Sequence, residues 1–229
     1  MENTPVGELK VWWCAVTHAC EVLQLECQCS PIVSNELCQL FREGILKNLQ
    51  LFHWIPREKD KSTEIGEKTW IRICDAIRET PPLNLVSLCI PNNSIGEKGC
   101  KELVKLGFDT CLREIKELNL SGNRIGSIGS LELIRAMKIA DTASRIMILD
   151  LSNNGIAQRG MKLAHDYLMQ SEYPLIEELR MGGTRRMQSS LIGNMIDKLT
   201  MQRFLDVLSY HALPSLKILD LSRCPHEDE

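Results

Sequence analysis

One phrase recurs along the chain and limits what it can fold into. Leu85, Leu88, Ile90, Asn93 and Ile95 return as Ile115, Leu118, Leu120, Asn123 and Ile125, then as Ile146, Leu149, Leu151, Asn154 and Ile156, at intervals of 30 and 31 residues. Units of this length supply one supersecondary element that cannot bury its apolar face alone, so the copies must stack. Leucines on either side of a single residue put two apolar side chains on one face of a short strand, and the residues between them face the other way. The asparagine lies where the chain leaves the strand, and its amide can donate to and accept from backbone groups that no ladder satisfies. Stacked copies predict a column of such bonds, to which Asn153, one place out of phase, contributes little. Gly99, Gly129 and Gly160 each follow four residues after the last isoleucine, and glycine in the I-G-x-x-G entry relieves the turn into a helix. In the first copy a helix over 95–106 would bury Cys100, Leu103 and Leu106.

Weaker copies extend the array. Ile176, Leu179, Met181 and Thr184 fit the phrase with threonine in the asparagine place, and Leu216, Leu219, Leu221 and Cys224 fit it with cysteine there. The predicted column is therefore Asn93, Asn123, Asn154, Thr184 and Cys224. Upstream, Leu46, Leu49 and Leu51 start a copy whose helix begins at Ile65-Gly66-Glu67-Lys68, a duplicate of Ile95-Gly96-Glu97-Lys98; nine extra residues between them place an insertion within 56–64. An earlier copy runs through Val22, Leu25, Cys27, Ser30 and Ile32, with a helix through Leu37, Leu40 and Phe41.

The phrase L-x-x-L-x-L-x-x-N-x-I resembles the ribonuclease-inhibitor-like class of leucine-rich repeats over roughly residues 22–224. That class includes the ribonuclease inhibitor, NOD-like receptors, the Ran GTPase-activating protein, and cytoskeletal and ciliary subunits. The resemblance implies an α/β leucine-rich repeat solenoid of about six to seven repeats, curved, with short parallel strands on the concave face and helices on the convex one. The expected layout is an N-terminal cap over residues 1–21, with Trp12 and Trp13 packed in it. A solenoid over 22–229 follows, carrying the charged insertion 56–64 and a longer fifth repeat, 176–215. A shared scaffold implies a binding surface without naming what binds.

Composition excludes several classes. A net charge of −3 and a sequence pI near 6.0 argue against a nucleic-acid partner, which calls for a basic domain or stripe. No run approaches the ~18 apolar residues of a membrane span, and the first residues lack the basic start and apolar core of a secretory signal. A cytoplasmic chain is expected, cytoskeletal or ciliary assemblies included. Its ten cysteines then read as reduced, small buried hydrophobes. Cys14, His18, Cys20, Cys27, Cys29 and Cys38 crowd into 25 residues, but without the paired C-x(2–4)-C spacing of zinc sites, so no metal ion and no other cofactor is expected. Cys14 with His18 and His165 with Asp166 sit in no nucleophile motif, and the Walker pattern is absent, so the chain reads as non-catalytic.

Function is expected on the outward strand positions. These are Asn48, Gln50 and Phe52; Ser87, Cys89 and Pro91; Glu117, Asn119 and Ser121; Ile148, Asp150 and Ser152; Glu178, Arg180 and Gly182; Ile218, Asp220 and Ser222. Glu117, Asn119, Asp150, Ser152, Glu178, Arg180 and Asp220 are the candidate contact residues for a protein partner, with charges that could be reversed at Glu117 and Asp150 without unfolding the chain. The 56–64 insertion and the second, between Thr184 and the helix of Phe204, with Arg185, Arg186 and Lys198, would add to that face. At the C-terminal end the strand of Leu216, Leu219 and Leu221 is followed by Pro225 and an acidic tail, which blunt an edge without covering it; that edge is expected to dock on another subunit. The chain thus reads as a non-catalytic interaction module, a structural or scaffold subunit of a larger intracellular assembly. The alternative is a regulator of an enzyme, as an inhibitor or a GTPase-activating protein.

Overall fold

The computed structural model describes residues 20–57, 60–140, 145–169, 175–183, 193–210 and 213–222. Seven short strands form one parallel sheet in chain order: β1 (Val22–Leu25), β2 (Leu51–Trp54), β3 (Ser87–Cys89), β4 (Glu117–Asn119), β5 (Ile148–Asp150), β6 (Glu178–Arg180) and β7 (Ile218–Asp220). Between them run the helices α1 (Pro31–Arg42), α2 (Glu67–Glu79), α3 (Gly96–Val104), α4 (Gly126–Ile139), α5 (Gln158–Met169) and α6 (Lys198–Tyr210), each packed on the next. Every strand pairs with the strands of the adjoining repeats, so the fold is an α/β solenoid. The segments holding Trp12–Trp13, Thr184, Arg185, Arg186 and Cys224 lie outside the described residues.

The phrase leucines make the core. Leu85, Leu88 and Ile90, with their counterparts through Ile176, Leu179 and Met181, are all buried between sheet and helices. Upstream the register differs from the expected one. Phe52 pairs with Leu88 and Leu23 with Phe52, so the buried set of the second repeat is Leu49, Phe52 and Trp54, three places beyond Leu46, Leu49 and Leu51. In the first repeat it is Leu23 and Leu25, while Val22 faces out at 42% exposure. Aromatic residues stand in leucine places here, and a pattern restricted to aliphatic residues slides past them. Trp54 to Ile65 spans eleven residues where Ile90 to Ile95 spans five, so the insertion is six residues long, not nine. It is also anchored: buried Thr63 accepts the Trp54 indole N–H on its carbonyl at 2.9 Å, and its hydroxyl accepts the Arg57 N–H at 2.9 Å.

The two glycines at the starts of α3 and α4 have different jobs. Gly96 and Gly126 take φ of 69° and 64°, the left-handed turn that only glycine adopts freely. Gly99 instead leaves room: a Cβ there would stand 2.9 Å from Trp70 Cδ1, and the Gly99 carbonyl accepts the Trp70 indole N–H at 3.1 Å. In α3 and α4 the first glycine thus relieves the turn, as expected of the entry, and Gly99 lets adjacent helices approach.

A column of buried amides ties the repeats together. Asn123 Oδ1 accepts from the Asn93 and Ile95 N–H groups at 3.0 and 3.4 Å, while its Nδ2 donates to the Ile90 and Leu120 carbonyls at 2.7 and 3.0 Å. Asn154 does the same for Asn123, Ile125, Leu120 and Leu151. In the fifth repeat the donor and acceptor is Asn194, which accepts from Asn154 and Ile156 at 3.0 and 3.1 Å and donates to Leu151 and Met181. The column thus runs through Asn194, which was not foreseen; the insertion of this repeat falls between Met181 and its asparagine. Asn194-Met195-Ile196 preserves the N-x-I of the other copies, a signal that could have located it.

Each of these asparagines serves two turns of backbone, so Asn123→Ala and Asn194→Ala should each cost about 1–3 kcal/mol in denaturant melts. Asn153 is not a bystander: it holds φ of 55° and its Oδ1 is buried without a partner. Asn153→Gly should leave stability equal or higher, while Asn153→Ala should cost about 1 kcal/mol through the left-handed backbone.

Candidate functional site

The sheet face turned away from the helices presents two rows of side chains. One row is Val22, Leu51, Ser87, Glu117, Ile148, Glu178 and Ile218; the other is Gln24, His53, Cys89, Asn119, Asp150, Arg180 and Asp220. The corrected register puts Leu51 and His53 on this face in place of Asn48, Gln50 and Phe52, and Phe52 points into the core.

Three of the seven candidate contact residues are engaged by their own backbone. Asn119 Oδ1 accepts from the Ser121 N–H and hydroxyl, Asp150 Oδ1 from those of Ser152, and Asp220 Oδ1 from the Ser222 N–H, all within 3.0 Å. These bonds close the turn that follows each strand. Asp150 is only 6% exposed, so the expectation that its charge can be reversed without harm does not hold. Ser152 is committed to the same turn. Glu178 and Arg180 remain accessible and pair with each other, Nη2 to Oε2 at 2.6 Å, so their charges offset one another on the face. Val22 and Ile218, at opposite ends of the first row, are 42% and 41% exposed.

Glu117 belongs to a different constellation. Four polar side chains from β2, β3 and β4 meet there: Ser87 donates its hydroxyl to Glu117 Oε2 at 2.7 Å and accepts at 2.8 Å from His53 Nε2, while Cys89 Sγ lies 3.5 Å from the same Oγ. With the Ser87 proton committed to the carboxylate, the neutral His53 ring carries its proton on Nε2. Cys89 occupies an outward strand position, as expected, yet is buried beneath its neighbours. Burial, above all, pushes its thiol up to about 12, far from the thiolate a nucleophile needs. The serine lies between histidine and glutamate, the wrong order for a histidine-activated nucleophile. Among the described residues, His53, Cys89 and Glu117 are the group whose ligand atoms could hold a metal ion. His53 was missed because the aromatic register hid its face.

The other sequence candidates serve packing. His165 meets Asp166 Oδ1 through Nδ1 at 3.1 Å and the Arg203 carbonyl through Nε2 at 3.2 Å, and it packs edge-on against Phe204 at 5.0 Å, so it ties α5 to α6. Cys29 and Cys38 donate to the Ile65 and Arg72 carbonyls, and the eight described cysteines are all free thiols.

The model of the leucine rich repeat matches residues 113–132. That segment holds β4, Asn123 and the first half of α4, and with the stacked strands and helices it makes the fold a leucine-rich repeat solenoid. Such domains are generally non-catalytic modules for protein contact, which the match supports for this chain. No curated protein matches the chain.

Burial lowers the pKa of His53 from its ordinary 6.5, despite Glu117 nearby. A histidine with a lowered folded-state value contributes stability that is present above about pH 6.5 and fades as pH falls through the folded value. The denaturation midpoint of the wild type should therefore drop more between pH 7 and pH 5 than that of His53→Gln; equal drops would remove His53 as the cause.

Proposed function

We propose that the chain is a non-catalytic docking module that binds a protein partner through the sheet face and acts as a structural or scaffold subunit of a larger intracellular assembly. One observation carries this reading: the sheet leaves a seven-strand face opposite its helices, and its accessible residues differ from repeat to repeat while the buried ones recur. Variation on a fixed scaffold is what selective binding requires. The helix that intervenes between successive strands, and the repeats near 30 residues, support the ribonuclease-inhibitor-like class.

Free, mostly buried thiols support a reducing, cytoplasmic setting, with cytoskeletal or ciliary assemblies as candidates. The charge balance supports a protein partner over nucleic acid, and among the described residues no helix is long and apolar enough to cross a membrane. The outer side of β7, whose Ile218 is exposed, is the proposed contact with a neighbouring subunit.

The accessible residues of the face set the test. Glu178→Lys with Arg180→Glu keeps the local pair but reverses its order, and Ile218→Asp removes apolar surface, so both variants should fold and melt like the wild type. Each should weaken capture of the principal co-purifying protein by about tenfold or more, as loss of a residue that carries binding energy does. Undiminished capture by both folded variants would place binding elsewhere.

A further inference from the structure

We propose that His53, Cys89 and Glu117, contributed by three successive strands, form a zinc site on the sheet face whose fourth position is open to water. Their ligand atoms lie within 4.8 Å of one another. Tetrahedral zinc, with bonds of ~2.1–2.3 Å, needs ligands about 3.5 Å apart. His53 and Cys89 are paired across β2 and β3, and Glu117 is paired with Ser87, diagonally from Cys89, so side-chain rotations that move the ligand atoms by about an ångström close the site without moving backbone. All three groups are aimed at one point, the Ser87 hydroxyl, which lies 2.8 Å from His53 Nε2, 2.7 Å from Glu117 Oε2 and 3.5 Å from Cys89 Sγ. The ion takes over that focus, and the Ser87 hydroxyl rotates aside about its Cα–Cβ bond. The serine, only 2% exposed, remains beside it as a donor to the glutamate, the outer support that ligating carboxylates normally have.

The donor set selects the metal. A thiolate and an imidazole disfavour magnesium and calcium, which require oxygen ligands, and suit borderline zinc. Charge balances as well: the Cys89 proton leaves to solvent, His53 binds as the neutral ring with its proton moved to Nδ1, and thiolate and carboxylate cancel the two charges of the ion. A neutral complex is the form that a half-buried pocket tolerates.

The residues also break the repeat where the repeat has a use for them. In the row of Cys89, Asn119, Asp150 and Asp220 accept the N–H two residues on. Cys89 is followed there by Pro91, which has no N–H, and His53 by Ile55, whose N–H already bonds the Leu25 carbonyl at 3.0 Å. The turns need neither side chain. The sequence pattern of the N-terminal cysteines pointed away from metal; this site draws on one cysteine outside that stretch.

Cobalt(II) titrated into the full, chelator-treated chain under reducing conditions should give one tight equivalent with tetrahedral visible bands and a thiolate-to-cobalt charge-transfer absorption, displaced by zinc. Cys89→Ser should lose the charge-transfer absorption. His53→Ala and Glu117→Gln should weaken zinc by at least about tenfold against a chromophoric chelator, with circular dichroism matching the wild type. A chain with Cys14, Cys20, Cys27 and Cys29 all changed to serine should keep the signal. Absence of tight cobalt uptake by the wild type, or a charge-transfer absorption that survives in Cys89→Ser, would overturn the site. Glu117→Gln, which preserves shape, keeps the test valid if a cysteine or histidine variant fails to fold.

Discussion

The structure depends on how its turns are satisfied. A parallel strand of three or four residues offers few ladder bonds, and the chain leaving it would strand N–H and C=O groups in a dry interior. Buried asparagine amides remove that cost. Each Oδ1 collects two N–H groups of the repeat before it, and each Nδ2 reaches one carbonyl there and one in its own repeat. Because every amide serves two repeats, no copy satisfies its backbone alone. Stacking is enforced by hydrogen bonding as much as by burial of leucine. At the N-terminal side the column ends on Asn93, which accepts the Ile65 N–H, and the buried Thr63 takes over with bonds inside its own insertion.

With the turns settled, the two sheet faces separate by composition. The helix side repeats the same apolar set, broadened at β2 by Phe52 and Trp54; Phe52 packs against Phe41 and Trp70, and Trp70 in turn uses the room left by the missing Cβ of Gly99. The outward side is free to vary, but part of that freedom is illusory. Asn119, Asp150 and Asp220 look like display residues and act as turn locks. What remains for contact is the Glu178–Arg180 pair, the apolar ends of the first row, and the polar cluster around Ser87.

Much of this was legible in the residues. The α/β class, the parallel stack and the buried positions from Leu85 to Met181 follow from a phrase whose period leaves no other way to bury its leucines. The second repeat was misread because aromatic side chains hold leucine places there, which shifted the assumed strand by three residues and put His53 out of view; in the first, Leu25 was assigned the place that Leu23 fills. Thr184 was proposed for a place that Asn194 fills, since spacing by count cannot find an asparagine on the far side of an insertion.

Sequence by itself determined the repeat: alternating leucines, an amide at the strand exit and a glycine after it state the local geometry, because each depends only on near neighbours in the chain. Tertiary structure alone decided what the outward residues do. Whether Asp150 faces a partner or its own backbone, and whether His53, Cys89 and Glu117 converge, depends on strands that lie side by side but about 30 residues apart in the chain. That register is set by packing across repeats, a relation between distant residues that no single copy contains.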